Sequence, residues 1–314
     1  MSIFEEKSIK PMLIGTTGTP FEDADYIYEL KYDGERGIIY LDSAGSELRN
    51  KRNRRMQQVF PELAELHKQV KGQVILDGEY ICLINGKPNF SAVQRRSLLT
   101  HDFKIKMAAK ETPISFICFD ILYANGKDLM GLPLMERKEL LQKAVIADER
   151  IAISAVFESG CADLFDLTRQ QGLEGIVAKR RDSLYHQGKK TRKWIKIKNM
   201  MDDEFIICGW VPKQHNMNSI ILGKYSQAGK LLYKGHVQVG INTFDFSLIK
   251  ACSPTWPPFN SVPVGNENAI WVMPQLVCTV EFMEYTNNGS MRQAVFKGIR
   301  PDKRPEEVIE ILNA

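Results

Sequence analysis

Cysteine nowhere recurs at the C-x-x-C spacing that zinc modules and redox motifs use. The six cysteines, at 82, 118, 161, 208, 252 and 278, are scattered through 314 residues. Five of them neighbour aliphatic or aromatic residues, as buried reduced thiols do, so neither a zinc site nor a disulfide framework is expected. No apolar run is long enough to cross a bilayer, and Met1-Ser2-Ile3-Phe4-Glu5-Glu6-Lys7 lacks the apolar core of a secretory signal. Internal repeats and low-complexity tracts are missing too. An excess of one charge is also wanting, with 42 Lys and Arg against 38 Asp and Glu, a formal net charge of +4. Together these absences turn away from membrane, secreted and fibrous classes, toward a cytoplasmic protein without a membrane partner.

What is present is an ordinary globular composition, 44% hydrophobic and 25% charged. The length suits two domains, each with its own core. The cations are unevenly placed. Arg49, Lys51, Arg52, Arg54 and Arg55 crowd one short run, and Lys179, Arg180, Arg181, Lys189, Lys190, Arg192, Lys193, Lys196 and Lys198 another. Most charge runs are solvated faces. Two of them flanking a nucleotide-site pattern favour a polyanion.

Along the chain, Tyr26-Ile27-Tyr28 and Gly37-Ile38-Ile39-Tyr40-Leu41 read as β-runs, and the Asp33-Gly34 step between them predicts a tight hairpin turn. Residues 61–70 read as a short amphipathic helix, 74–83 as a strand closed by an Asn85-Gly86 turn, and 90–99 as a helix. The run 114–122 is a strand before a second Asn-Gly turn at 125–126, and 134–146 an amphipathic helix. Ser159 is the expected cap of a further helix ended by Gly172, before strands at 173–179 and 193–198. Past Asp202-Asp203 the pattern changes to short β-runs (204–211, 219–226, 230–239, 276–285), with a proline-rich loop at 252–266 and a helix from Pro305 to Leu312. That suits a small β-barrel, with domains at 1–201 and 202–314.

Phosphoryl transfer needs a nucleophile, cations around the phosphates, a carboxylate-bound metal and a base pocket. Lys31, in Glu29-Leu30-Lys31-Tyr32-Asp33-Gly34-Glu35-Arg36, can supply the nucleophile, because a lysine held among cations loses its proton more readily. Asp77-Gly78-Glu79 and Glu174-Gly175 place carboxylates at strand ends, as hard divalent cations prefer. Phe119 closes an apolar strand and suits stacking on a purine. Lys196 and Lys198 alternate, so both reach one face toward an α-phosphate. Each piece alone has an ordinary explanation as turn, core or solvated strand. Their joint occurrence in this order does not.

The ordered set resembles the covalent nucleotidyltransferases, and within them the ATP-dependent DNA ligases. Lys31-Tyr32-Asp33-Gly34-Glu35-Arg36 is similar to their K-x-D-G-x-R motif. Asp77-Gly78-Glu79, Phe119-Asp120, Glu174 to Lys179 and Trp194 to Lys198 resemble the four that follow, and Phe296 to Lys303 resembles the terminal R-x-D-K motif. The resemblance implies an α+β protein: a nucleotidyltransferase (adenylation) domain of antiparallel sheets with helices, then an OB-fold β-barrel. It implies ATP and Mg²⁺ (or Mn²⁺) as cofactors and nicked duplex DNA as partner, with a monomer expected, in the cytoplasm or at the nucleoid, or in the host cytoplasm if phage-encoded. Lys31 would carry AMP, Glu29 would read the adenine amino group with Phe119 stacked on the ring, and Arg36 would hold the ribose. Glu174 would bind the metal with Glu79 beside it, Lys196 and Lys198 would grip the α-phosphate, and Arg300 and Lys303 would orient pyrophosphate. Lys51 competes with Arg52 for the nick 5′-phosphate. Where the family has Arg four positions before the motif tryptophan this chain has Lys190, which cannot clamp a phosphate bidentately, so Arg192 is the other candidate. A capping guanylyltransferase, an RNA ligase and a non-catalytic OB module are the rival readings. With 30 residues ahead of Lys31, a separate N-terminal DNA-encircling domain is not expected.

Overall fold

Long β-branched and aromatic runs set most of the architecture, because such side chains pack well on a pleated surface. The computed structural model describes residues 2–213, 217–240, 243–286 and 289–310. The chain divides into two units, Met1–Asn199 and Met200–Ala314.

The first unit holds two sheets. A four-stranded sheet runs in the order Leu13–Thr17, Lys190–Lys198, Gly175–Arg180, Tyr26–Leu30, its first pair parallel and the others antiparallel. A seven-stranded sheet is built on Gly45–Asn50, Glu35–Asp42, Val74–Ile84 and Ile114–Ala124. Alternation along the strands gives each sheet two distinct faces. In the four-stranded sheet Tyr28, Ile176, Ala178 and Ile197 pack with Cys161, Leu164 and Phe165 of the helix Cys161–Gln170. Ile27, Val177 and Trp194, from the opposite face, join Ile38, Tyr40, Ile75 and Phe119 of the larger sheet in a second core. A third core lies on the larger sheet's other face, under the helices Phe90–Ser97 and Leu134–Ala144.

Several sequence expectations change. The strands on either side of Asp33-Gly34 do not pair with each other. Tyr26–Leu30 belongs to the four-stranded sheet and Glu35–Asp42 to the larger one, so residues 31–34 carry the chain from one sheet to the other. A Cβ on Gly34 would collide with the Tyr80 carbonyl, which is why the crossing uses glycine there. Residues 61–70 form two 3-10 turns, Pro61–Leu63 and Leu66–Gln69, rather than a helix. Ser159 does not cap the next helix. Gly160, at φ 76°, takes that position, and the Glu22 carboxylate accepts from the N–H groups of Gly160 and Cys161 at 2.8 and 3.0 Å. Asp77 and Glu79 lie in the middle of an 11-residue strand, not at a strand end. The helix Asp102–Glu111 has no counterpart in the sequence reading, since only Ile105 of it is buried. The Asn-Gly turns at 85–86 and 125–126 hold, with all four residues at positive φ.

The second unit carries five main strands in the order Leu231–Gly240, Met217–Tyr225, Met201–Pro212, Val277–Phe282, Val295–Ile299. With the helix Phe244–Ala251 between the third and fourth in sequence, this is the partly open Greek-key arrangement of an OB-fold. Its core gathers Phe205, Ile207, Ile220, Leu222, Val237, Val280 and Phe282. Near the C-terminus the chain makes a 3-10 turn at Pro305–Glu307 and bridges Tyr225 through Ile309. The last two residues of the helix expected over 305–312 lie outside the described residues.

Candidate active site

Three cross-strand rows on the inner face of the four-stranded sheet build the site. Lys179 pairs with Ile27 and Trp194, and Val177 with Glu29 and Lys196. Gly175 pairs with Lys198 and accepts the backbone N–H of Lys31 at 2.8 Å. Strand alternation thus puts Glu29, Val177, Lys179, Trp194, Lys196 and Lys198 on one side. The larger sheet faces them with Arg36, Glu79 and Phe119. Together these elements line a pocket bounded by Ile14, Glu29, Leu30, Lys31, Tyr32, Arg36, Glu79, Phe119, Val177, Lys179 and Trp194.

Lys31 Nζ donates to Glu174 Oε2 at 2.7 Å, and Lys198 Nζ stands 3.8 Å from the other oxygen. Glu174 is 6% exposed, so the pair is shielded and stronger than a surface one. The backbone enforces the meeting: Gly175 sits at φ 132°, and a Cβ there would strike the Ile197 carbonyl. Residues 143 positions apart are therefore joined through both main chain and side chain.

Arg36 is held rather than loose. Its Nε and Nη2 donate to the two oxygens of fully buried Asp77 at 2.5 and 2.6 Å, and Asp77 also accepts from the Tyr185 hydroxyl at 2.6 Å. Asp77 is consequently an anchor for Arg36, not a metal ligand. Burial opposes the charge on Arg36, but Asp77 outweighs it and keeps the guanidinium's pKa above its usual value. The guanidinium carbon lies 4.5 Å from the Phe119 ring centroid, Lys179 Nζ 4.4 Å from it, and Trp194 meets the ring edge-on. The aromatic expected to stack on a purine is already held by two cations.

Lys179, read from sequence as part of a basic run favouring a polyanion, is 3% exposed. Its Nζ lies 3.0 Å from Glu29 Oε1, and Lys138 Nζ, from the helix Leu134–Ala144, lies 2.5 Å from the same atom. Burial lowers Lys179 to about 8 despite Glu29. For Glu29 itself, burial favours protonation, yet the two ammonium groups prevail and hold it below the ordinary carboxyl range. Lys179 and Lys138 were the functional candidates missed. A lysine closing the apolar run Ile176-Val177-Ala178 was the signal available for the first. Arg137, with Asp120 in a fully buried bidentate pair, fastens the same helix.

Glu79 is raised to about 8, chiefly by burial; Arg36 and Lys31 oppose this, and Glu174 and Asp77 add to it. Two carboxylates close enough to repel one another suit a hard divalent cation, which takes one or two carboxylates and completes its shell with phosphates and water. Among the described residues no group of three His, Cys, Asp or Glu could hold a metal alone. A pair of carboxylates of this kind fits a divalent cation that shares a nucleotide's phosphates.

Of the remaining sequence candidates, Lys51 and Arg52 are exposed on the turn after Asn50, and Lys190 and Arg192 are exposed at the start of the strand Lys190–Lys198. Arg49 is committed to Glu47 and to the Asn53 carbonyl. Arg300 and Lys303 belong to the second unit. Arg300 donates twice to Asp302, holding that carboxyl down to about 2, and both cations pair with Glu204.

Residues 11–198 match the family model of the ATP dependent DNA ligase domain, and residues 213–303 that of the ATP dependent DNA ligase C terminal region. The chain is 30% identical to the multifunctional non-homologous end joining protein LigD of Mycobacterium bovis, over 98% of this chain but 40% of LigD. It is 28% identical to a DNA ligase of Thermococcus fumicolans, over 96% of this chain and 57% of that one. The chain thus spans about half or less of these relatives. A solved structure of mycobacterial DNA ligase D complexed with ATP and MES is 28% identical, with a TM-score of 0.56 over 97% of this chain and 99% of that one. A Lig E DNA ligase structure, at 19% identity and TM-score 0.61, shares the fold.

Proposed function

Because the chain belongs to the ATP-dependent DNA ligase family, we propose that it seals nicks in duplex DNA with ATP. The observation that carries the reading is the 2.7 Å contact of Lys31 with Glu174 at the edge of a pocket lined by Glu29, Arg36 and Phe119. Lys31 must lose its proton before it attacks, and Glu174 is an acceptor within hydrogen-bond reach. Nζ then forms a bond to the α-phosphorus of ATP, the α–β bridging P–O bond breaks, and pyrophosphate leaves with the electron pair. The resulting lysyl-AMP preserves the activation until a 5′-phosphate takes it. A 5′-phosphate oxygen attacks the AMP phosphorus and the electron pair of the P–N bond returns to Nζ. Finally the 3′-hydroxyl displaces AMP and the strand closes.

Glu29 keeps Oε2 as an acceptor for the adenine amino group, Phe119 packs on the ring, and Arg36 reaches the ribose from its Asp77 mount. Lys196 and Lys198 take the α-phosphate. Glu174 and Glu79 would hold the divalent cation, which supplies charge neutralisation on the phosphate under attack. Arg300 and Lys303 orient pyrophosphate in the first step, and Lys51 or Arg52, with Lys190 or Arg192, holds phosphates of the nicked duplex. The protein works on DNA in the cytoplasm as a monomer, and its LigD relatives point to DNA repair.

Labelling with α-³²P nucleotides tests the reading. ATP gives a covalent adduct that chases onto nicked DNA, while GTP and NAD give none. Equal labelling by ATP and GTP would sink the adenine assignment, and an adduct that never chases onto DNA would sink the ligase.

A further inference from the structure

The cationic turn after Asn50 is tied to the nucleotide pocket by hydrogen bonds that the chemistry above does not use. Asn50 ends the strand Gly45–Asn50 and pairs with Gly37. Its Oδ1 accepts from the backbone N–H groups of Arg52 and Arg54, both at 3.0 Å. Its main chain closes the same turn, donating to the Arg54 carbonyl at 3.0 Å and accepting from Asn53 N–H at 2.8 Å. Asn53 is left-handed at φ 61°. One side chain therefore shapes the loop that presents Lys51, Arg52 and Arg54.

The other end of that amide points inward. Asn50 Nδ2 donates to Glu35 Oε1 at 2.8 Å, and Glu35 Oε2 accepts from the hydroxyl of Ser97, itself 8% exposed. Glu35 directly precedes Arg36, whose guanidinium lines the pocket and whose carbonyl accepts from Lys51 N–H at 2.9 Å. A solvated basic loop needs no such inward tie. A loop that must present a phosphate to a reacting phosphorus does, since small misplacements in a displacement cost large factors in rate.

We infer that Asn50 and Glu35 are positioning residues that hold the phosphate-binding turn in register with the lysyl-AMP, so that the 5′-phosphate meets the α-phosphorus in line. The inference rests on the ligase reading and concerns the second step. There, one P–O bond forms to the AMP phosphorus, the P–N bond breaks, and Nζ recovers the electron pair.

The test exchanges the direction of the hydrogen bond. Asn50→Asp keeps the acceptor for Arg52 and Arg54 N–H but faces Glu35 with a second carboxylate. Adding Glu35→Gln supplies a donor to that carboxylate and still accepts from Ser97. Enzyme labelled with α-³²P ATP is mixed with nicked duplex, and single-turnover AMP transfer is followed at saturating DNA. For Asn50→Asp, adduct formation should change less than about threefold, while transfer falls about 10- to 100-fold, as expected when a hydrogen bond to a charged group is removed. The double variant should recover most of the transfer rate. The inference is overturned if Asn50→Asp transfers at the wild-type rate, if adduct formation falls equally, or if the double variant recovers nothing. A wild-type adduct that never transfers to the nick would instead overturn the ligase reading, and this inference with it.

Discussion

The two groups of cations in the first unit live at opposite extremes of solvation. In the pocket, Lys31, Arg36 and Lys179 each face a nearly or fully buried carboxylate: Glu174, Asp77 or Glu29. On the turn after Asn50, Lys51, Arg52 and Arg54 stand in water. Charges of the first kind are fixed before any ligand arrives, and their fields are little screened. Charges of the second kind attract a polyanion over a distance of about a Debye length and weaken with salt. The pocket should therefore govern adenylylation, and the exposed charges of the turn should govern capture of DNA, with the register of that turn bearing on AMP transfer.

Breaking the pocket should give the largest effect. Lys31→Ala is expected to abolish sealing of an ordinary nick with ATP yet retain closure of a nick supplied with AMP already attached, because the last displacement needs no lysine nucleophile. Glu174→Ala should lose both activities by at least about two orders of magnitude. An adduct formed by Lys31→Ala would place the nucleophile elsewhere.

Next in size is Asp77→Ala, which strands the Arg36 guanidinium and the Tyr185 hydroxyl. A destabilisation of about 3–5 kcal/mol is expected from denaturant unfolding, together with loss of adenylylation. Retained stability would mean that Arg36 finds water or another acceptor.

The turn sharpens the comparison from its other side. Replacing Lys51 and Arg52 together by Ala should raise KM for nicked duplex about tenfold at moderate salt, with adduct formation within about twofold. The slope of log affinity against log salt should drop by about 1 for each phosphate that the variant no longer neutralises. A collapse of adduct formation would assign the turn to the ATP site.

The smallest effect concerns pH. With its folded pKa raised from 4.5 to about 8, Glu79 stays protonated in the native state while the unfolded chain ionises. The native state then binds more protons, so this group's contribution to stability falls as pH rises from about 4.5 to 8. Glu79→Gln should flatten that decline and raise the melting temperature near neutrality by a few degrees. Parallel pH profiles for the two proteins would show that Glu79 is ionised throughout.

The residues proposed for the chemistry were legible in the sequence because they stand in the order and spacing of the motifs they resemble. Lys31, Glu174 and Phe119 gather at the pocket although far apart in the chain, and the strands that carry or adjoin them read correctly from their apolar runs. What escaped depends on which strand pairs with which. Asp33-Gly34 has the local form of a hairpin, and nothing local says that its two strands join different sheets. Lys179 stands beside Arg180 and Arg181 in sequence, yet alternation and the Glu29 partner pull it inside. Asp102–Glu111 shows little apolar periodicity, so its helicity is settled by its setting rather than by pattern.

The passage from Leu30 to Glu35 between two sheets has a mechanical consequence. The Lys31 side chain, which in the proposed reaction gains and sheds a nucleotide, hangs from a short span outside any strand, its backbone N–H hydrogen-bonded to the Gly175 carbonyl of the neighbouring ladder. Loading and unloading that span disturbs no run of ladder hydrogen bonds. Amide hydrogens of Ile38 to Leu41 and Ile176 to Ala178 should exchange with solvent equally slowly in the free and AMP-carrying protein, insulated from work done a few ångströms away.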